Sequence, residues 1–207
     1  IKEISWQHGR AATFLPKWHH SKVGSSSHVH QSLWKDGKPV FFDKSDKLGM
    51  SDLMRNYMAG LIAFSPDYTY FLAPYVNSYK RFSKGTFAPT KTVWSVDNRT
   101  AGFRLCGDGT KGHTPLNKPG VVAGIKGIED KMELAPPSSG DVYEDAKATD
   151  IPQTLRTATQ NLTNSKFLRQ ALGDDVVDHY TRAAQWEQEE FDRIVTDWEI
   201  ARGFERA

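Results

Sequence analysis

Strand-like patterns dominate the first part of this chain, and a long helical pattern occupies its end. The segment SSHVHQSLW alternates with a period of two, and Asp36-Gly37 supplies a turn before KPVFF, so that the two segments predict a β-hairpin. The last part of the chain instead repeats its apolar residues at helical spacing. Because strands followed by helices are typical of α+β proteins, this order predicts an α+β fold.

Two helices can be assigned from apolar periodicity and end signals. The first covers residues 51–65, with Ser51 as its N-cap. Its apolar face comprises Leu53, Met54, Tyr57, Leu61 and Phe64. The second begins at Asp174 or Asp175 and ends near Gly203. Its single apolar stripe comprises Val177, Tyr180, Ala184, Phe191, Ile194, Val195 and Trp198.

Other strands are predicted on either side of the first helix. Residues 10–18 (RAATFLPKW) are strand-like and end in a proline-containing loop. The segments KTVWSV and AGFRLC predict two strands joined through Asp97-Asn98-Arg99.

Composition and charge exclude several classes of partner. The chain has 207 residues, 27 of them basic and 25 acidic, and its basic residues form no cluster of the kind that binds nucleic acid or membrane surfaces. The single cysteine, Cys106, excludes an intrachain disulfide and fits a reducing compartment. No apolar run reaches the roughly 18 residues of a membrane span. We therefore expect a soluble, cytoplasmic protein, and the first residue, which is not methionine, favours a fragment.

Two histidines stand one residue apart in the strand-like segment. On a strand, His28, His30 and Ser32 share one face, while Val29, Gln31 and Leu33 share the other. Imidazole binds divalent metals and donates to phosphate oxygens, so the polar face is a candidate site. A solvated strand face is the alternative interpretation.

Four ordered blocks resemble the glutamine synthetase superfamily: GSSSHVHQSL (24–33), NSYKR (77–81), AP (88–89) and WSVDNR (94–99) followed by Arg104. GIEDKMEL (127–134) and the helical end resemble its later part, so the resemblance covers nearly the whole chain. It implies the C-terminal part of a catalytic domain, in which a curved antiparallel sheet presents the site and helices pack behind it. Residues 1–134 would form the sheet and site region, and residues 135–207 the helical part.

The resemblance also implies a nucleotide and metal site. His28 matches a ligand of Mg²⁺ or Mn²⁺, and His30 and Ser32 match residues beside ATP. Arg99 and Arg104 match arginines around the transferred phosphoryl group, with Arg99 a catalytic candidate. Guanidinium groups suit that task because negative charge spreads over the phosphoryl oxygens during transfer. For any single arginine, an ordinary surface ion pair is the alternative.

For the substrates, the resemblance implies that Gly24 faces glutamate and that Arg81, the second catalytic candidate, binds its carboxylate. Phe87 stands where ammonia-using members carry a glutamate that takes part in the ammonium site. The expected function is therefore ATP- and Mg²⁺-dependent ligation of a polyamine or alkylamine to the γ-carboxyl of glutamate, through γ-glutamyl phosphate. The implied assembly is a ring-forming homo-oligomer, and we expect residues 1–207 alone to be inactive.

Two alternatives stay open. The protein could be a true glutamine synthetase that uses ammonia, or a non-catalytic relative with a structural or regulatory role. After Arg104, LCGDGTKGHTPLNKPGVVAGIK lacks the glutamate and the arginine that the family carries on a further strand. Either the chain is truly altered at this point or further residues belong there. A true alteration favours the non-catalytic alternative, whereas the intact histidine and arginine set opposes it.

Overall fold

A computed structural model describes residues 1–26, 30–86, 88–105, 114–115, 120–145 and 148–206. Within these residues the helices are α1 (Lys2–Gln7), α2 (Asp52–Leu72), α3 (Val76–Tyr79), α4 (Val121–Glu129), α5 (Leu155–Asn164), α6 (Lys166–Leu172), α7 (Asp174–Asp192) and α8 (Asp197–Glu205), with a 3₁₀ turn at Val142–Glu144. The strands are β1 (His30–Gln31), β2 (Trp34–Lys35), β3 (Lys38–Pro39), β4 (Trp94–Val96), β5 (Phe103–Leu105) and β6 (Thr114–Pro115). No helix in the described ranges combines the length and the apolar character that crossing a bilayer requires.

Helix α2 lies between two hydrophobic clusters and organises the fold. One cluster joins it to α5, α6 and α7 through Tyr68, Leu162 and Val177. The other joins it to the strand region through Phe41, Trp94 and their neighbours. Helix α2 therefore packs against other helices on one side and against the strand region on the other.

Helix α4 crosses α2 at a contact that only glycines permit. A Cβ atom on Gly60 would lie 2.2 Å from the carbonyl oxygen of Ala123. A Cβ atom on Gly127 would lie 2.2 Å from the carbonyl oxygen of Asn56. Without these side chains the two backbones touch directly, and the Asn56 side chain adds a hydrogen bond to the Met132 carbonyl at 2.8 Å.

The predicted N-cap of α2 is confirmed, but the helix runs further than expected. Ser51 Oγ accepts a hydrogen bond from the Met54 amide at 3.2 Å. The helix passes through Pro66, which has no amide hydrogen to donate to the Ile62 carbonyl. Ser65 Oγ donates to that carbonyl at 2.9 Å instead, so the helix continues to Leu72.

The predicted β-hairpin is confirmed at its turn only, since His30 and Gln31 of its first predicted arm pair with β6 and not with residues 38–42. Strands β2 and β3 pair in antiparallel fashion around Asp36 and Gly37, whose φ angles are +50° and +73°. Two consecutive residues with positive φ are typical of the tight turn that matches the twist of a hairpin.

The curved antiparallel sheet is not confirmed, because the described residues form two-stranded sheets only. β1 pairs with β6 and β2 with β3 in antiparallel fashion, whereas β4 and β5 pair in parallel. The connection at residues 97–102 returns the chain beside the start of β4, so that Phe103 pairs with Trp94. Residues 10–18 contain no strand, contrary to the prediction.

The predicted final helix is in fact two helices. α7 ends at Asp192, and Thr196 begins α8 with a capping box in which it exchanges hydrogen bonds with Glu199. The apolar stripe is divided accordingly: Val177 and Ala184 are buried in the core, whereas Ile194, Val195 and Trp198 are exposed. The apolar periodicity of the sequence therefore continues past the end of α7, and the capping box at Thr196 determines where α8 begins.

Candidate functional site

Gly24 and Arg81, both predicted to contact the substrate, touch each other. Arg81 follows α3, and its Nε donates to the Ser25 carbonyl at 3.1 Å while a terminal nitrogen donates to Ser26 Oγ at 3.4 Å. A Cβ atom on Gly24 would lie 2.9 Å from Arg81 Cδ and 2.2 Å from the Pro16 carbonyl oxygen. Glycine at position 24 is thus a requirement of close packing, and it brings the arginine stem against the 24–26 backbone.

Asn77 fixes the other side of this arrangement. Its side-chain oxygen accepts from the Lys17 amide at 2.9 Å, and its side-chain nitrogen donates to the Lys17 carbonyl at 2.8 Å. The Ser25 amide donates to the Pro16 carbonyl at 2.8 Å. These bonds therefore attach the segment before Gly24 to α3, the short helix that Arg81 follows. We assigned Asn77 no role from sequence, although it stands in the NSYKR block.

Arg81 is half-buried and carries an available charge. Burial lowers the pKa of its guanidinium, and the nearby Tyr143 opposes that shift. Arginine stays protonated at neutral pH despite such a shift. Among the described residues, no acidic side chain forms an ion pair with Arg81 or Arg99. A charged, partly desolvated guanidinium of this kind suits a carboxylate ligand.

Within β1 the environments of His30 and Gln31 differ, as the predicted alternation requires, and residues 32–33 lie beyond this strand. His30 is exposed, whereas Gln31 accepts a hydrogen bond from the Tyr57 hydroxyl and Leu33 packs against the core. Ser32 Oγ accepts from the Trp34 indole nitrogen at 2.9 Å. His28, the predicted metal ligand, lies outside the described residues.

The predicted phosphoryl-binding arginines lie on or beside the parallel pair β4 and β5. Arg104 is opposite Ser95 in that pair. Arg99 is exposed in the connection between the strands, next to Asn98, whose side chain accepts from the Thr100 amide at 3.0 Å and donates to the Gly140 carbonyl at 2.8 Å. These two bonds stabilise the loop, one within the loop itself and one to the segment at Gly140.

The nucleotide candidates occupy neighbouring strands. β6 pairs with β1 and lies against β5, so that His30 and Arg104 are on strands that flank β6. The sequence predicted these residues as members of one site, and the strand arrangement places them in one region of the fold. This neighbourhood depends on the pairing of His30 with Pro115, which is 85 positions further along the chain.

The described residues do not by themselves form a divalent-metal site. They contain no group of three or more histidine, cysteine, aspartate or glutamate side chains that could hold an ion. Mg²⁺ requires oxygen ligands, and neither His30 nor the arginines supply them.

Phe87 also lies outside the described residues, but the residues around it are anchored. On one side, Lys84 Nζ forms an ion pair with Glu144 at 3.0 Å. On the other, the Tyr143 hydroxyl donates to the Ala88 carbonyl at 3.0 Å. The 3₁₀ turn at Val142–Glu144 thus contacts the chain on both sides of position 87, an arrangement that the sequence did not predict.

The chain belongs to the glutamine synthetase family: the sequence profile of the glutamine synthetase catalytic domain matches residues 1–115 and 120–203. Among curated relatives, it is 39% identical to the gamma-glutamylethanolamide synthetase GlnA4 of Streptomyces coelicolor, over 99% of this chain and 46% of that protein. It is 34% identical to the glutamine synthetase of Thermus thermophilus, over 98% of this chain and 50% of that protein. The chain spans about half the length of these relatives.

Two solved structures of GmaS have the same fold. A complex with ADP superimposes with a TM-score of 0.86 at 25% identity, covering 99% of this chain and 51% of that chain. A structure without ligand gives a TM-score of 0.84 at 26% identity, covering 96% and 49%. The family resemblance inferred from the four sequence blocks is therefore confirmed.

Proposed function

We propose that the full-length protein is an ATP- and Mg²⁺-dependent ligase that joins the γ-carboxyl group of glutamate to an amine. The observation that carries the proposal is the docking of Arg81 against Gly24, Ser25 and Ser26, with no acidic partner among the described residues. A charged guanidinium without an acidic partner suits a carboxylate ligand, and the family motif implies that this arginine binds glutamate. Family membership supports the reaction class.

In the proposed reaction, a γ-carboxylate oxygen of glutamate attacks the γ-phosphorus of ATP, and the bond to the bridging oxygen breaks to release ADP. The amine nitrogen then attacks the carbonyl carbon of the acyl phosphate, and phosphate leaves as the amine loses a proton. Arg99 and Arg104 would stabilise the negative charge on the phosphoryl oxygens, while His30 and Ser32 would contact the nucleotide. A bound Mg²⁺ or Mn²⁺, with His28 as a proposed ligand, would supply further charge neutralisation.

The proposed acceptor is an organic amine, either a polyamine or an alkylamine. The similarity to a gamma-glutamylethanolamide synthetase supports an organic acceptor, and the similarity to glutamine synthetases supports ammonia as the second candidate. Phe87 favours the former, because its side chain has neither the negative charge that holds ammonium nor a base that deprotonates it. An aromatic ring instead packs against methylene groups and attracts an alkylammonium through its face.

A phosphate-release assay with the full-length protein tests this proposal. ATP, glutamate and Mg²⁺ are supplied with ammonium, ethanolamine, a monoalkylamine, putrescine or spermidine at matched free-amine concentrations. We expect a higher kcat/KM with an organic amine than with ammonium. Phe87→Glu should bring the kcat/KM values for the organic amine and for ammonium closer together.

Two results would contradict the proposal in different ways. The highest kcat/KM with ammonium would establish the ammonia-using alternative. Release of no phosphate with any amine would favour the non-catalytic alternative. Phe87→Leu is the matched control, because it removes the aromatic face without adding a charge.

A further inference from the structure

Tyr57 is held rigidly at the junction of α2, α4 and the strand region. Its side chain is 1% exposed, and its ring lies 5.1 Å from that of Phe41 between centroids. On the α4 side the ring touches Gly124 so closely that a Cβ atom there would lie 2.2 Å from Tyr57 Cε2. The ring therefore has little freedom to move, and its hydroxyl has a fixed position.

The Tyr57 hydroxyl makes a hydrogen bond to strand β1. It donates to Gln31 Oε1 at 2.9 Å, and Gln31 is the residue next to His30 in β1. Burial raises the pKa of Tyr57 to about 12, so the hydroxyl keeps its proton at neutral pH. Gln31 and His30 point to opposite faces of the strand, so this bond holds the strand from behind the exposed histidine.

In the part of the chain that the structure describes, β1 is a short strand with a short partner. It contains two residues and pairs with β6, which also contains two. A two-stranded pair of this length is marginal without packing against another element. The packing that it receives on the Gln31 side comes through the Tyr57 hydroxyl and the adjacent Leu33.

We propose that Tyr57 is a positioning residue, whose hydrogen bond to Gln31 orients β1 so that His30 and Ser32 face the nucleotide. The ligand named in this inference rests on the proposed function. The bond itself does not, because it joins two residues of the folded chain. Loss of the hydroxyl should thus loosen the strand and weaken ATP binding without changing the chemistry once ATP is bound.

The test compares Tyr57→Phe with Tyr68→Phe in the full-length protein. Both substitutions remove one buried tyrosine hydroxyl from α2, but that of Tyr68 donates to the Leu61 carbonyl of its own helix and reaches no strand. Two quantities are measured: backbone hydrogen exchange in peptides that cover β1, and the Kd for ATP by equilibrium titration. For Tyr57→Phe we expect the exchange rate in β1 and the Kd for ATP each to increase about three- to tenfold, the range for one lost hydrogen bond. The kcat at saturating ATP should stay within about twofold of that of the wild-type protein.

Gln31→Leu provides a second route to the same result. This substitution removes the acceptor of the Tyr57 hydrogen bond. The double variant Tyr57→Phe/Gln31→Leu should therefore have the same Kd for ATP as each single variant. Additive effects of the two substitutions would overturn the inference. So would unchanged exchange in β1 or an unchanged Kd in Tyr57→Phe, or equal changes in Tyr68→Phe.

The outcomes for the two proposals are separable. A wild-type protein that binds ATP but releases no phosphate with any amine contradicts the proposed function, while exchange and Kd still decide the role of Tyr57. A wild-type protein that binds no ATP overturns the positioning role as well.

Discussion

At the scale of single residues, the candidate substrate site depends on Gly24, which has no side chain. Gly24 has no positive φ, so its requirement is one of space and not of backbone conformation. The atoms that surround the absent Cβ are the Pro16 carbonyl oxygen and the Arg81 stem. The arginine stem could shift, but the carbonyl belongs to a backbone that the hydrogen bonds between Lys17 and Asn77 hold in place. Any larger residue must therefore displace backbone as well as the arginine.

We expect Gly24→Ala to raise the KM for glutamate roughly tenfold, which corresponds to about 1.4 kcal/mol. It should also lower the free energy of unfolding by about 1–3 kcal/mol, as is usual for an overpacked contact. Steady-state kinetics and urea unfolding of the full-length protein measure the two effects.

The matched control is Gly203→Ala in α8, where a new Cβ atom meets no other atom within 4 Å. It should leave the KM unchanged and stability equal or slightly increased, since alanine favours helix. A wild-type KM for glutamate in Gly24→Ala would refute the proposed contact of this position with the substrate site.

At the scale of elements, α2 is the helix on which both clusters depend, and Pro66 lies inside it. Proline leaves the Ile62 carbonyl without its helical donor, and an unpaired buried carbonyl costs free energy. The Ser65 hydroxyl supplies the missing donor, and Ser65 is itself buried. A polar side chain in the core is thus explained by the backbone defect beside it.

Ser65→Ala should lower the free energy of unfolding of the full-length protein by about 1 kcal/mol. In the Pro66→Ala background the same substitution should cost much less, because the new amide at position 66 can donate to the Ile62 carbonyl. Urea unfolding of the four proteins in this cycle gives the coupling. An equal loss in both backgrounds would show that the serine acts in some other way.

At the scale of the whole molecule, large apolar side chains remain exposed on the first and last helices. Neither α1 nor α8 contains a buried residue. Trp6 is 81% exposed, Trp198 is 68% exposed and Phe204 is 83% exposed. Apolar surface of this kind is typical of faces that contact other parts of a protein or other subunits.

We therefore expect the full-length protein to form a closed oligomer, as the family resemblance implies. Light scattering at the concentration used for the activity assay measures its mass. A fully active monomer would contradict this expectation. In the same assay we expect residues 1–207 alone to release no phosphate, because a metal ion held by a single histidine would lack the carboxylate ligands that hard cations require.

The sequence by itself determined what depends on neighbouring residues. Asp36-Gly37 predicted the hairpin turn, Ser51 the start of α2, and the alternation of His30 and Gln31 the two faces of β1, because turns, caps and strand periodicity are local. The ordered motifs likewise identified the family and nominated Arg81, Arg99 and Arg104 for the site.

Only the tertiary structure decided what depends on contacts between distant residues. The parallel pairing of β4 with β5 and the support of the loops by Asn98 and Tyr143 have no local signal. The same is true of the bond between Tyr57 and Gln31, which are 26 positions apart, and of the close packing of Gly24 on Arg81. Periodicity records which face of an element is apolar, but the partner of that face is selected by packing of the whole chain, where shape and hydrogen bonding must be satisfied together.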